Sequence, residues 1–154
     1  MTLAPGSAVP DFTLPTDGGA TLTLSSLRGR AVVLYFYPKD DTSGCTAEAC
    51  AFQESLPDFT GIDAVIVGVS KDSPARHDRF KAKYGLTFPL VSDEEGALCE
   101  AFGVWVEKSM YGRTYFGIER STFLIDAQGV LRQAWRKVKV TGHAKEVLAA
   151  VQAL

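Results

Sequence analysis

The chain predicts an α/β fold: a central mixed β-sheet, mainly parallel with an antiparallel addition, flanked by helices. Three observations carry this expectation. Residues 31–37 and 64–70 are continuous apolar runs, as expected of strands covered on both faces. Helical stretches separate these runs, which is the order that builds parallel crossovers. Near the carboxyl end, the Asp126-Ala-Gln-Gly129 turn joins two strands as a hairpin, which supplies the antiparallel part.

The elements follow in chain order. Phe12-Thr-Leu and Thr21-Leu-Thr-Leu, set around Gly18-Gly19, predict a short N-terminal β-hairpin extension. After the strand at 31–37, a turn containing Gly44 leads into a helix over 45–56. The strand at 64–70 precedes a helix over 74–84, with Pro74 near a first helical position, where its missing N–H costs nothing. A helix over 94–102 follows Ser92-Asp93. The strand at 122–126 returns over 130–138. A last helix over 142–153 carries Val147, Leu148 and Val151 at helical spacing. This order is compatible with a thioredoxin-like architecture. No repeat, low-complexity segment or flexible linker divides it, so residues 1–154 are expected to form a single domain.

At 154 residues and 46% hydrophobic content, the chain is large enough to bury a core without staples. A formal charge of −2 argues for neither a nucleic-acid nor a membrane-surface partner. The first residues show no basic and apolar leader, and no run reaches the length of a membrane span. A soluble, cytoplasmic protein is the expectation. Three cysteines in a reducing compartment argue against a disulfide framework and for catalytic, metal-binding or merely buried thiols. Metal is a poor fit: Cys45 and Cys50 would need two further ligands, and His77 and His143 lie in separate helical segments. No metal or cofactor is expected.

The informative stretch is the one that delivers Cys45. The strand ending in Tyr35-Phe36-Tyr37 runs into Pro38, which cannot continue a central ladder. Lys39-Asp-Asp-Thr-Ser-Gly44 then brings Cys45 to the start of a helix, beyond the carboxyl end of a strand, where α/β folds place their ligands. A thiol in the first helical turn sits in the positive end of the helix dipole, which favours the reactive thiolate. Thr42 has two open roles, as a helix cap or with its hydroxyl toward the thiolate. In an intact helix, Cys45 and Cys50 would have α-carbons roughly 8–9 Å apart. A disulfide needs roughly 4.4–6.8 Å, so the two can bond only if the first turns unwind. Alternatively, Cys50 is a small apolar filler.

These residues resemble the peroxiredoxins. Pro38-x-x-x-Thr42-x-x-Cys45 matches their active-site motif. Tyr37-Pro-Lys-Asp-Asp-Thr-x-Gly-Cys-Thr-x-Glu-Ala-Cys50 is similar to the bacterioferritin comigratory protein, or peroxiredoxin Q, branch. The match continues through Phe88-Pro-Leu-Val-Ser-Asp93, Gly103-Val-Trp-Val-Glu-Lys108, Met110-Tyr-Gly112 and Gly117-Ile-Glu-Arg-Ser-Thr-Phe-Leu-Ile-Asp126.

The resemblance implies a thiol peroxidase acting on hydrogen peroxide and organic hydroperoxides. It makes Cys45 the peroxidatic residue and Cys50 the resolving one, joined as an intramolecular disulfide that thioredoxin or a similar dithiol reduces. By the same resemblance, Pro38 shields the site, Thr42 bonds the thiolate and peroxide, Arg120 holds the thiolate, and Glu48 supports an arginine. Read without it, Arg120 is a solvated residue at a strand entrance and Glu48 an exposed helix-surface carboxylate. The resemblance also leans toward a monomer. One departure is visible: Ser43 stands where the motif usually carries proline, which loosens the turn slightly.

Two other activities compete. A thioredoxin-type oxidoreductase would need a C-x-x-C pair, which is absent here. A redox sensor or holdase would use the same Cys45–Cys50 switch and stop after about one turnover. Elsewhere the expectations are bland. Cys99 is a helix core residue, Trp105 and Trp135 are packing anchors, and His77 and His143 are surface helix residues. Arg132, Arg136, Lys137 and Lys139 form the wet face of a strand.

Overall fold

The computed structural model describes residues 3–154. Strands β1 (Thr13–Pro15) and β2 (Thr21–Thr23) pair antiparallel, forming the expected N-terminal hairpin. Then come β3 (Ala31–Phe36), α1 (Ser43–Gly61), β4 (Ala64–Ser70), α2 (Pro74–Tyr84), β5 (Leu90–Ser92) and α3 (Ala97–Ala101). The remainder is β6 (Trp105–Met110), β7 (Arg113–Ile118), β8 (Ser121–Ile125), β9 (Leu131–Trp135) and α4 (His143–Gln152). The central sheet has the order β5-β4-β3-β8-β9. β3, β4 and β5 run parallel, while β8 and β9 add antiparallel, giving the mixed sheet of a thioredoxin-like fold.

Alternation along β3 explains its unbroken apolar run. Val33 and Tyr35, followed by Tyr37, enter a core with Ala49 and Phe52 of α1, Phe80 of α2 and Val147 of α4. Val32, Leu34 and Phe36 enter a second core with Leu98, Phe102 and Phe123. Both faces are covered, so no polar position is tolerated. Close packing extends to the backbone at Gly68. A Cβ there would lie 2.8 Å from Leu90 Cδ2 and 3.0 Å from Tyr35 Cζ. Gly68→Ala is therefore expected to destabilise the fold by about 1–3 kcal/mol, read as a lowered urea midpoint.

Several boundaries differ from those expected. α1 runs to Gly61 with Pro57 inside it, because burial of Phe52 and Phe59 on one side sustains the helix past the proline. α3 starts three residues late, where the Asp93 carboxylate accepts from the N–H groups of Leu98 and Cys99. β5 and the β6–β7 hairpin are additions to the expected elements. The hairpin is largely exposed and mixes charged, polar and aromatic residues, so it lacks the apolar run that marks the central strands.

The histidines are corrected outright. His77 is fully buried and His143 nearly so, because each finds polar partners inside: Asp40 and the Val91 carbonyl for His77, Thr122 for His143. The basic cluster is corrected in part: Arg132 is exposed on β9, as expected, and Lys137 and Lys139 are exposed beyond its end. β9 stops at Trp135, and Arg136 beyond it donates to the carbonyls of Phe102 and Gly103 while covering the Phe123 ring. Cys99 is a buried residue of α3, as expected, and burial pushes its thiol pKa well up. Trp135 packs edge-on to His143 and donates to Glu146, and Trp105 lies beneath Lys71 and beside Phe116.

Candidate active site

β3 ends at Phe36, and the chain passes through Tyr37 and an exposed Pro38 into a tight turn. Asp41 adopts a left-handed conformation (φ 60°), which reverses the chain before α1. Thr42 occupies the N-cap position, with extended backbone and its carbonyl accepting from the Thr46 N–H at 2.8 Å. Its side chain takes neither expected role: it does not cap the helix, and the hydroxyl donates to the Lys39 carbonyl at 2.9 Å rather than to Cys45 Sγ. That bond closes the turn and leaves the hydroxyl oxygen as an acceptor at the helix mouth.

Ser43 is thus the first residue of α1, the position where a proline is best tolerated. Ser43→Pro is expected to stabilise the reduced protein by about 0.4–1 kcal/mol, seen as a higher denaturant midpoint.

Cys45 is the third residue of α1, within the first turn, and is 1% exposed. Cys50 lies further along the same unbroken helix, half-buried, and both thiols are free. The intact helix therefore holds them apart, as the spacing predicts.

Arg120 reaches this turn from the connection between β7 and β8. Its backbone is held in place: the Arg120 carbonyl accepts from the Val138 N–H, and the neighbouring Glu119 N–H donates to the Val104 carbonyl. The guanidinium is a fork. Nη2 donates to Cys45 Sγ at 3.3 Å and Nη1 donates to Glu48 Oε1 at 2.7 Å. Glu48, one helical turn after Cys45, is 2% exposed, so both solvated readings of this pair are set aside. Burial works against the Arg120 charge, but Glu48 and Cys45 outweigh it and the guanidinium's pKa rises above its ordinary value. Burial pushes Glu48 the other way, up to about 7, although Arg120 offsets part of the cost.

A carboxyl whose folded pKa lies above its unfolded one stabilises most below the unfolded value, and this contribution is lost as pH rises through about 7. Glu48→Gln is accordingly expected to flatten the fall in stability between pH of about 5 and 8, measured by urea unfolding.

Gly44 is a site residue that sequence reasoning passed over. A Cβ there would sit 3.2 Å from Arg120 Nη2. Glycine in a first helical turn is intrinsically unfavourable, and that cost was the available signal. Gly44→Ala should displace the guanidinium by a few tenths of an ångström and slow Cys45 oxidation, measured in a single-turnover assay.

The site has close relatives. The AhpC/TSA family matches residues 5–134. Peroxiredoxin Bcp of Bacillus subtilis is 53% identical over 148 residues, covering 96% of this chain and 94% of that protein. A putative peroxiredoxin bcp of Coxiella burnetii is 51% identical over 148 residues, covering 96% and 98%. Among solved structures, a PrxQ mutant of Xylella fastidiosa superposes with a TM-score of 0.95 at 46% identity, covering 99% of this chain and 98% of that one. The bacterioferritin comigratory protein of Xanthomonas campestris, studied for alkyl peroxide reduction, superposes with a TM-score of 0.89 at 54% identity, covering 92% and 90%. A first-turn cysteine bonded by a half-buried arginine, on a chain matched nearly end to end by these proteins, leads to one assignment: the chain belongs to the AhpC/TSA family and is a peroxiredoxin, a thiol-dependent peroxidase.

Proposed function

We propose that Cys45 is the peroxidatic residue and Cys50 the resolving residue of a peroxidase acting on hydrogen peroxide and organic hydroperoxides. The observation that carries this is the Arg120 fork, with one N–H on Cys45 Sγ and another on buried Glu48. A guanidinium N–H bonds a thiolate more strongly than a thiol, so it favours the form that attacks. Glu48 orients the fork, and Gly44 leaves the space it occupies.

The thiolate attacks one oxygen of the peroxide. An S–O bond forms as the O–O bond breaks, and the departing oxygen leaves as water or an alcohol once protonated. Cys45 becomes a sulfenic acid. The guanidinium and the first-turn amides lie where negative charge is redistributed in this step. The Thr42 hydroxyl oxygen, its own hydrogen donated to the Lys39 carbonyl, accepts a hydrogen bond from the peroxide O–H, and Pro38 at the rim limits water.

Resolution requires α1 to open over its first turns. The Cys50 thiol then displaces water from the sulfenic acid, forming the Cys45–Cys50 disulfide. A dithiol reductant of thioredoxin type restores both thiols and leaves as its own disulfide. Support for organic hydroperoxides comes from the alkyl peroxide reduction described for the Xanthomonas campestris relative.

The test is Cys50→Ser. One equivalent of peroxide should be consumed as Cys45 becomes a sulfenic acid, after which turnover stalls; excess peroxide should convert it, one equivalent per step, to the higher acids seen by mass spectrometry. Sustained thioredoxin-dependent turnover by this variant would remove Cys50 from the resolving role. Among the described residues, no helix is long and apolar enough to cross a membrane.

A further inference from the structure

The turn before Cys45 is tied from below by a buried polar network that peroxide chemistry does not use. Its centre is Asp40, 4% exposed, facing His77, which is fully buried on α2. Asp40 Oδ2 lies 2.6 Å from His77 Nδ1. His77 Nε2 lies 3.0 Å from the Val91 carbonyl, which can only accept, so Nε2 carries a proton. The other Asp40 oxygen accepts from the Tyr37 hydroxyl. The Asp40 N–H donates to Asp72 Oδ2 at 2.8 Å, and the same oxygen accepts from the Ser70 hydroxyl. Arg76 of α2 pairs with the other Asp72 oxygen at 3.2 Å.

The next residue is held from the same helix. Asp41, in its left-handed conformation, accepts from Lys83 Nζ at 2.8 Å and from the Tyr84 hydroxyl. Two consecutive turn residues are thus bound to α2 by side chains, one inside the protein and one at its surface. Thr42 and Cys45 follow within five residues. With serine at the first position of α1, no proline ring fixes that φ angle, and these bonds restrain the turn together with the Thr42–Lys39 bond inside it.

We propose that α2 is the clamp on the peroxidatic turn, with His77 as its principal positioning residue through Asp40 and with Lys83 and Tyr84 assisting through Asp41. The inference rests on Cys45 as the attacking thiol and Cys50 as the resolving one. A clamp favours the geometry that attacks peroxide and disfavours the opened helix that resolves it. Releasing it therefore moves the two steps in opposite directions. The groups acting on His77 are Asp40 from the turn, whose other oxygen holds the Tyr37 hydroxyl, Asp72 ahead of α2, and the Val91 carbonyl of β5. Burial opposes charge on His77, but the Asp40 carboxylate overcomes this and the pKa ends above its ordinary value.

The test compares wild type with His77→Gln and with a Lys83→Met/Tyr84→Phe double variant. Amide exchange in the reduced proteins reads the clamp without any cysteine chemistry. In His77→Gln, exchange over residues 43–50 should rise about tenfold or more, the effect of losing a buried bond to a charged group, while strands β3 and β4 exchange as before. The rate of Cys45 oxidation should fall and the rate of disulfide formation should hold or rise. The double variant, which leaves the core intact, should shift the same quantities in the same directions by about threefold. It decides the question if His77→Gln does not fold. Exchange over 43–50 that is unchanged, or that rises equally in β3 and β4, would overturn the clamp. Peroxide consumption persisting in Cys45→Ser would instead overturn the reading of the site, leaving the exchange comparison to judge the clamp.

Discussion

Cys45→Ser is expected to reduce peroxide consumption to the uncatalysed background while leaving the fold intact. The substitution changes one atom in a site that is 1% exposed, and serine fits the volume left by cysteine. A hydroxyl at this position remains protonated at neutral pH, having no general base to ionise it, and it forms neither a sulfenic acid nor a disulfide. The other thiols do not substitute. Cys99 is buried on α3 with its pKa pushed well up, against Asp93, so its reactive form is suppressed. Cys50 lies beyond the first turn of α1 and does not accept the Arg120 bond. A steady-state assay with hydrogen peroxide, cumene hydroperoxide and a thioredoxin system measures the loss. Full thioredoxin-dependent activity in the variant would mean that another group attacks peroxide.

Arg120→Ala should have the second-largest effect, slowing Cys45 oxidation by about 10²–10³-fold, as when a positioned donor is removed from a reacting centre. Stability complicates this variant, since Glu48 would be left buried without its partner. Breaking a buried pair costs about 3–5 kcal/mol when the remaining charge stays ionised. Glu48 already holds its proton to about pH 7, so the loss should be smaller in mildly acidic buffer than in alkaline buffer. Adding Glu48→Gln to Arg120→Ala removes the stranded carboxylate and should recover stability without recovering rate. Single-turnover stopped-flow and urea unfolding on wild type and these two variants separate the two effects. A rate that returned with stability would show that Arg120 acts only through the fold.

Arg120→Lys should lie between the two. One ammonium cannot occupy both ends of a fork that spans Cys45 Sγ and Glu48 Oε1, so it keeps the charge and loses the geometry.

Several features were legible from residue order because they depend on neighbours along the chain. The apolar runs at 31–37 and 64–70 announce central strands, since both of their faces meet hydrophobic cores. The first-turn position of Cys45 follows from the strand, the turn and the helix signal in succession, and the distance from Cys50 follows from helix geometry. The β6–β7 hairpin carried no such periodic signal, being exposed on most of its length. Histidine periodicity misled for a different reason. A polar residue on a helix reads as solvent-facing unless its buried partner is known, and Asp40 lies 37 positions away from His77.

By itself, then, the chain determined the order of four of the five central strands and of the helices between them, the place of Cys45 at a helix start, and its separation from Cys50. Those properties arise from local hydrogen bonding and from the periods of strand and helix. Tertiary structure alone decided which charges meet at the site. Arg120 and Glu48 are 72 positions apart, and only the packing of the β7–β8 connection against α1 brings them to 2.7 Å, where exclusion of water gives their pairing its consequence.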